Sequence, residues 1–210
     1  MALTLVIGDK VYSSWSLRAW LALELTGARY SEQLIRLNQP DTRARILEHS
    51  PTGKVPLLKT AEGAIWDSLA ISEYLAETYP EAHLWPLGAY PRAIARSVCA
   101  EMHSGFVPLR TTMPMDLSRD AALPDVPADV LADIERISEI WARCRNEFGQ
   151  DGPFLFGHAS LADAFFAPVA VRFRGYRAPL SADAAAYVET IYQWPAFQRW
   201  QRDALEEQHA

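Results

Sequence analysis

Ser50-Pro51-Thr52-Gly53-Lys54-Val55-Pro56-Leu57-Leu58 places a turn, one basic side chain and the start of an apolar strand side by side. Val55-Pro56 falls between the turn and the strand, a place where a cis peptide is tolerated. A cis bond there turns the N–H and C=O of Val55 outward as an unpaired edge, to which a peptide-like ligand can add in the manner of a strand. A trans proline opening an edge strand is the alternative, and the segment alone leaves both open.

Working outward, residues 2–7 (ALTLVI) read as a buried strand ended by Gly8-Asp9. Residues 12–27 follow as a helix, with Leu17, Trp20, Leu21 and Leu25 at helical spacing and Gly27 at its end. Residues 29–37 are a second strand, and 41–48 a short helix capped by Asp41. VPLLK and AIW form a hairpin across Thr-Ala-Glu-Gly, and 67–79 a helix stopped at Pro80. The order β-α-β-α-β-β-α over residues 1–80 predicts a small mixed α/β domain with a parallel pair and an antiparallel hairpin. Residues 81–91, rich in proline, read as a linker. Residues 92–210 read as an all-α domain, with helices at 92–110, 128–148, 160–173, 183–192 and 195–206. Ser160 and Asp163 carry the spacing of a capping box.

Composition narrows the function. The chain has 210 residues, half of them hydrophobic, and a net charge of −6. Residues 1–80 hold 8 basic and 9 acidic side chains, whereas 81–210 hold 12 and 17, and all three lysines lie in the first sixty residues. Neither part has the basic stripe that nucleic acid requires. The longest stretch without a charged residue, 152–162, is too short to span a bilayer, and the N-terminus lacks the features of a secretory signal. Cys99 and Cys144 form no metal-binding or redox pair and read as small buried hydrophobes. No metal site is expected, and the expected compartment is the cytoplasm.

Two helix starts carry chemistry. At Asp67-Ser68, free backbone N–H groups and the positive end of the dipole attract a carboxylate, and the Ser68 hydroxyl can donate to it. Asp67 can receive an ammonium group or simply cap the helix. At Tyr12-Ser13-Ser14-Trp15-Ser16, hydroxyls gather at the start of the first helix, as N-caps or as donors to a bound anion.

Three segments together, SPTGKVPLL, Asp67-Ser68-Leu69-Ala70-Ile71-Ser72-Glu73-Tyr74-Leu75 and Tyr12-Ser13-Ser14-Trp15-Ser16-Leu17-Arg18, resemble the glutathione S-transferase family, and Ser160-x-x-Asp163 matches its second-domain capping box. The resemblance covers nearly the whole chain. It implies a thioredoxin-like first domain, an all-helical second domain and a cis Val55-Pro56 bond. It implies glutathione as co-substrate, held by Lys54, Val55, Asp67 and Ser68, and Ser13 as the hydroxyl that activates its thiol, with Ser14 and Tyr12 as competitors. One charge-assisted hydrogen bond of about 1.5–3 kcal/mol lowers a thiol pKa by about one to two units. The nearest pattern is the zeta-class S-S-C-S-x-R, but Trp15 stands where that pattern has cysteine. Tryptophan cannot act as a thiol, so the implied reaction is conjugation to a small hydrophobic electrophile rather than isomerisation, with Trp15 as an aromatic wall. Met102, Phe106 and Arg110, at i, i+4 and i+8 of one expected helix, are the implied second-substrate pocket. The resemblance further implies a homodimer. The alternatives are a catalytically weak binding protein of the same fold, or a glutathione-dependent isomerase.

Overall fold

A computed structural model describes residues 3–209. The first domain is built around β1 (Leu3–Gly8), which is buried along most of its length because it is sandwiched within the sheet. It pairs in parallel with β2 (Tyr30–Ile35) and antiparallel with β3 (Leu57–Lys59), and β3 pairs antiparallel with β4 (Ala64–Ile65), giving the order β2-β1-β3-β4. Side chains alternate across the sheet. Leu3, Leu5, Ile7 and Leu58 join the main core, while Val6, Ile35 and Leu57 pack with Ile46 in a smaller cluster on the opposite face. Ala2, expected in the first strand, lies outside the described residues.

Helix α1 (Ser14–Thr26) is buried without interruption from Ser16 to Leu23 and closes on Gly27, whose left-handed φ of 67° lets its N–H reach the Glu24 carbonyl. Helix α2 (Thr42–Leu47) covers the smaller cluster through Ile46. Asp41 occupies its cap position but makes no capping hydrogen bond, contrary to expectation. Thr42 ties that end down instead, accepting from the Gln39 N–H and donating to the Arg36 carbonyl. Helix α3 (Ser68–Thr78) is capped by Asp67 as the sequence implies, with Oδ1 accepting from the Leu69 N–H at 2.7 Å.

A 3-10 turn at Pro80–Ala82 leads into the helical domain. Helix α4 (Ala89–Ser104) takes in the last residues of the expected linker. The single helix expected over 92–110 is two: α4 ends at Ser104, and α5 (Val107–Thr112) begins after Phe106, whose φ is +57°. In a continuous helix the ring of Pro108 would collide with the Ser104 carbonyl four residues back; near the start of α5 its missing N–H is harmless. Helices α6 (Ala128–Phe148), α7 (Leu161–Gly175), α8 (Ala182–Gln193) and α9 (Pro195–His209) complete the domain. Cys99 and Cys144 are both buried and unpaired, as expected.

The two domains are joined at two places. Helix α9 lies against the first domain: Asp203 and Glu32 pair with the Lys10 ammonium at 2.8 and 2.7 Å, and Trp200 donates to the Lys10 carbonyl. The second junction packs α1 against α7, with α3 and α4 linked beside it through Asp67–His103 and Glu73–Arg96, and it holds the site.

Candidate active site

The start of α3, the Val55-Pro56 peptide and Trp15 enclose a cavity of about 470 Å³, lined also by Thr52, Lys54, Trp66, Asp67 and Ser68. The Val55-Pro56 bond is cis, and the described residues make no hydrogen bond to the Val55 backbone. Gly53 turns the chain at φ +64°, a conformation that suits glycine, immediately before Lys54. Ser68 is buried, and its hydroxyl has no partner. An unsatisfied buried hydroxyl normally costs about 1–3 kcal/mol. Here it stands at a helix N-terminus, beside the backbone N–H groups that favour an anion. Lys54, Val55, Asp67 and Ser68 thus line one cavity.

The start of α1 forms the neighbouring wall. Ser13 is buried and donates its hydroxyl to Ser16 at 2.7 Å, and Ser16 in turn accepts from the Gly8 N–H. Ser14 opens the helix, and its hydroxyl makes no bond to the described residues. Tyr12 is exposed. Trp15 is held by cations: the Arg18 guanidinium lies 4.4 Å and the Arg110 guanidinium 5.2 Å from its ring centroid, and His103 meets it edge-on at 5.1 Å. Arg18 is fully buried, with Nε and Nη1 unpartnered. Burial and the nearby Arg172 and Arg110 push its pKa down.

Trp15 also borders a second cavity of about 420 Å³, with Tyr12, Ser14, Asn38, Arg110, Pro114, Met115 and Arg172. Of the expected second-substrate residues, only Trp15 and Arg110 are there. Met102 is fully buried in the core and Phe106 nearly so, and neither lines this cavity. The reason is the break at Gly105-Phe106, which removes the shared helical face on which the expectation rested. Arg110 turns back onto α4, donating to the His103 carbonyl at 3.1 Å. The cavity is also more polar than expected. Arg172, which the sequence reading passed over, is buried in α7 with its Nη1 on the Met113 carbonyl and its Nε unpartnered. His103 was likewise missed as a member of the site.

Two family models match the chain: the N-terminal domain of glutathione S-transferase over residues 12–78, and the C-terminal domain over 119–202. The chain belongs to the glutathione S-transferase family. It is 33% identical to a probable maleylacetoacetate isomerase of Caenorhabditis elegans, over 51% of this chain and 52% of that protein. It is 28% identical to a zeta-class glutathione S-transferase of Euphorbia esula, over 74% of this chain and 70% of that one. The match spans about half the length of the first of these relatives. Among solved structures, a glutathione transferase homologue from Burkholderia with bound glutathione superposes with a TM-score of 0.73, at 23% identity, covering 98% of this chain and 99% of the other. A bacterial maleyl pyruvate isomerase of the zeta class gives 0.72 at 23% identity, covering 95% and 96%. These structures confirm the fold expected of both domains.

Proposed function

We propose that the protein is a glutathione transferase. The observation that carries this reading is the Ser68 hydroxyl, buried, unpartnered and placed at a helix start beside Asp67. The γ-glutamyl group supplies a carboxylate for Ser68 and the α3 N-terminus and an ammonium for Asp67. The Val55 backbone suits the peptide portion and Lys54 the glycyl carboxylate. The sulfur then lies at the start of α1, where the helix dipole and a serine hydroxyl stabilise the thiolate. Ser13 fills that role when the two hydroxyl protons rotate, so that Ser16 donates to Ser13 and Ser13 donates to sulfur. Ser14 is the competitor, because its hydroxyl is uncommitted and lines the second cavity.

The thiolate attacks an electrophilic carbon and forms a C–S bond while the leaving group departs. The electrophile occupies the second cavity, across Trp15, where Arg110, Arg172 and Asn38 suit a molecule with an anionic or strongly polar portion better than a purely apolar one. The same lining, together with relatives named maleylacetoacetate isomerase, favours a second reading: reversible addition of the thiolate to an anionic substrate, with glutathione released after isomerisation. Trp15, standing in place of a cysteine, argues for conjugation. Cytoplasmic residence and a homodimer accompany this reading. Among the described residues no helix is long and apolar enough to cross a membrane.

Calorimetry with glutathione, paired with the ultraviolet absorbance of the bound thiolate, tests the reading. Binding with a thiolate signal at neutral pH is expected. The absence of binding at millimolar glutathione would leave a binding protein of the same fold.

A further inference from the structure

His103 belongs to the last turn of α4, in the helical domain, yet its imidazole reaches the first domain. Its Nε2 lies 3.2 Å from Oδ2 of Asp67. Its ring stands edge-on to Trp15 at 5.1 Å and tilted against Phe165 at 6.3 Å. The Asp67 carboxylate, which lines the first cavity, is therefore held from two sides. Its own helix engages Oδ1 through the Leu69 N–H, and the opposite domain engages Oδ2.

The Nδ1 of His103 is buried without a partner. A proton on Nδ1 would bury an N–H with nothing to accept it, so the ring is neutral and carries its hydrogen on Nε2, as a donor to Asp67. The charged groups facing the ring are Asp67 at the cap of α3, Arg18 on α1 and Arg110 on α5. Burial, with the two guanidinium groups, lowers the imidazole pKa against the pull of Asp67.

We infer that His103 is a positioning residue of the first cavity: its Nε2–H fixes the Asp67 carboxylate in the orientation that receives the ammonium of a γ-glutamyl group. The helical domain thereby sets the affinity of a site whose ligating atoms otherwise belong to the first domain. This rests on the glutathione reading above. It has a pH consequence. When the ring protonates in acid, the imidazolium becomes an ion partner of Asp67 and competes with the ligand's ammonium, so affinity falls.

The test is calorimetry on the wild type, His103→Ala and His103→Gln, with two ligands: glutathione, and glutaryl-cysteinyl-glycine, which lacks the ammonium. Because Asp67 is partly exposed, the expected loss for His103→Ala with glutathione is about three- to tenfold. His103→Gln keeps a donor that does not titrate. It should match the wild type near neutrality and lose the weakening that the wild type shows in acid. Both variants should bind glutaryl-cysteinyl-glycine as the wild type does. Equal losses for the two ligands, or no loss and no change in pH profile for either variant, would overturn the inference and leave the glutathione site standing. A wild type that binds neither ligand at millimolar concentration would overturn the glutathione reading and this inference with it.

Discussion

Removing the Ser68 hydroxyl deletes a buried group that has nothing to bond to in the unliganded chain. Ser68→Ala is therefore expected to leave the melting temperature unchanged or slightly raised, while glutathione affinity drops about tenfold or more. A structural hydroxyl would show the reverse, a lower melting temperature with affinity retained. At the start of α1, Ser13→Ala is expected to lower kcat/KM for a generic electrophile at least about tenfold, or about 1.4 kcal/mol. Normal kinetics for Ser13→Ala, with the loss appearing in Ser14→Ala, would transfer the role to the hydroxyl that lines the second cavity. In the candidate site, Asp67 and Ser68 could be read from the sequence because they open a helix, where backbone geometry fixes what a side chain can do. Lys54 and Val55, in the loop before β3, came from the resemblance of their segment to the family. His103 and Arg172 were legible in neither way. Their partners sit on other helices, and no spacing within α4 or α7 points to them.

Elements were legible where local chemistry and packing agree. The capping box forecast from Ser160 and Asp163 is present at the start of α7. Besides the Ser160 N–H of that box, the buried Asp163 carboxylate accepts from the Leu155 N–H and the Tyr187 hydroxyl. Asp163→Ala leaves those donors stranded, and a loss of about 3 kcal/mol or more is expected in urea unfolding. Burial raises the Asp163 pKa to about 6, against the hydrogen bonds that pull it down. Between an unfolded carboxyl near about 3.9 and that folded value, the folded chain binds the extra proton. This group's contribution to stability is therefore greatest in acid and declines as pH rises to about 6. Asp163→Asn should flatten that part of the stability profile; a profile identical to the wild type would contradict the assignment. The end of α4 shows the opposite case. Pro108 marked the end of the expected helix, but the chain breaks earlier, at Gly105-Phe106, and resumes as a second short helix, so the expected face of Met102, Phe106 and Arg110 is lost.

At the scale of the molecule, division into two domains was readable from the order of elements, but the way they dock was not. Helix α9 reaches the first domain through pairs nearly two hundred residues apart in the chain: Trp200 with Trp20, and Asp203 with Lys10. Trp200 is fully buried. Trp200→Ala should cost about 3–5 kcal/mol of stability in denaturant unfolding, and a near-wild-type midpoint would show that α9 is not what fixes the two domains together. Docking matters because the candidate site is bipartite. The first domain supplies the groups suited to a tripeptide, and the second supplies His103, Arg110 and Arg172. The net charge of −6 hides this, since Arg18 and Arg110 lie against the Trp15 ring and Arg172 lines the cavity it borders.

The most direct test of a glutathione site in the first cavity is a crystal structure of the protein soaked with glutathione. The expected complex places the γ-glutamyl carboxylate on the Ser68 hydroxyl and the peptide portion along Val55. It also places the sulfur within about 3.5 Å of the Ser13 or Ser14 hydroxyl. A tripeptide bound elsewhere, or bound here with its sulfur turned away from the start of α1, would contradict the account.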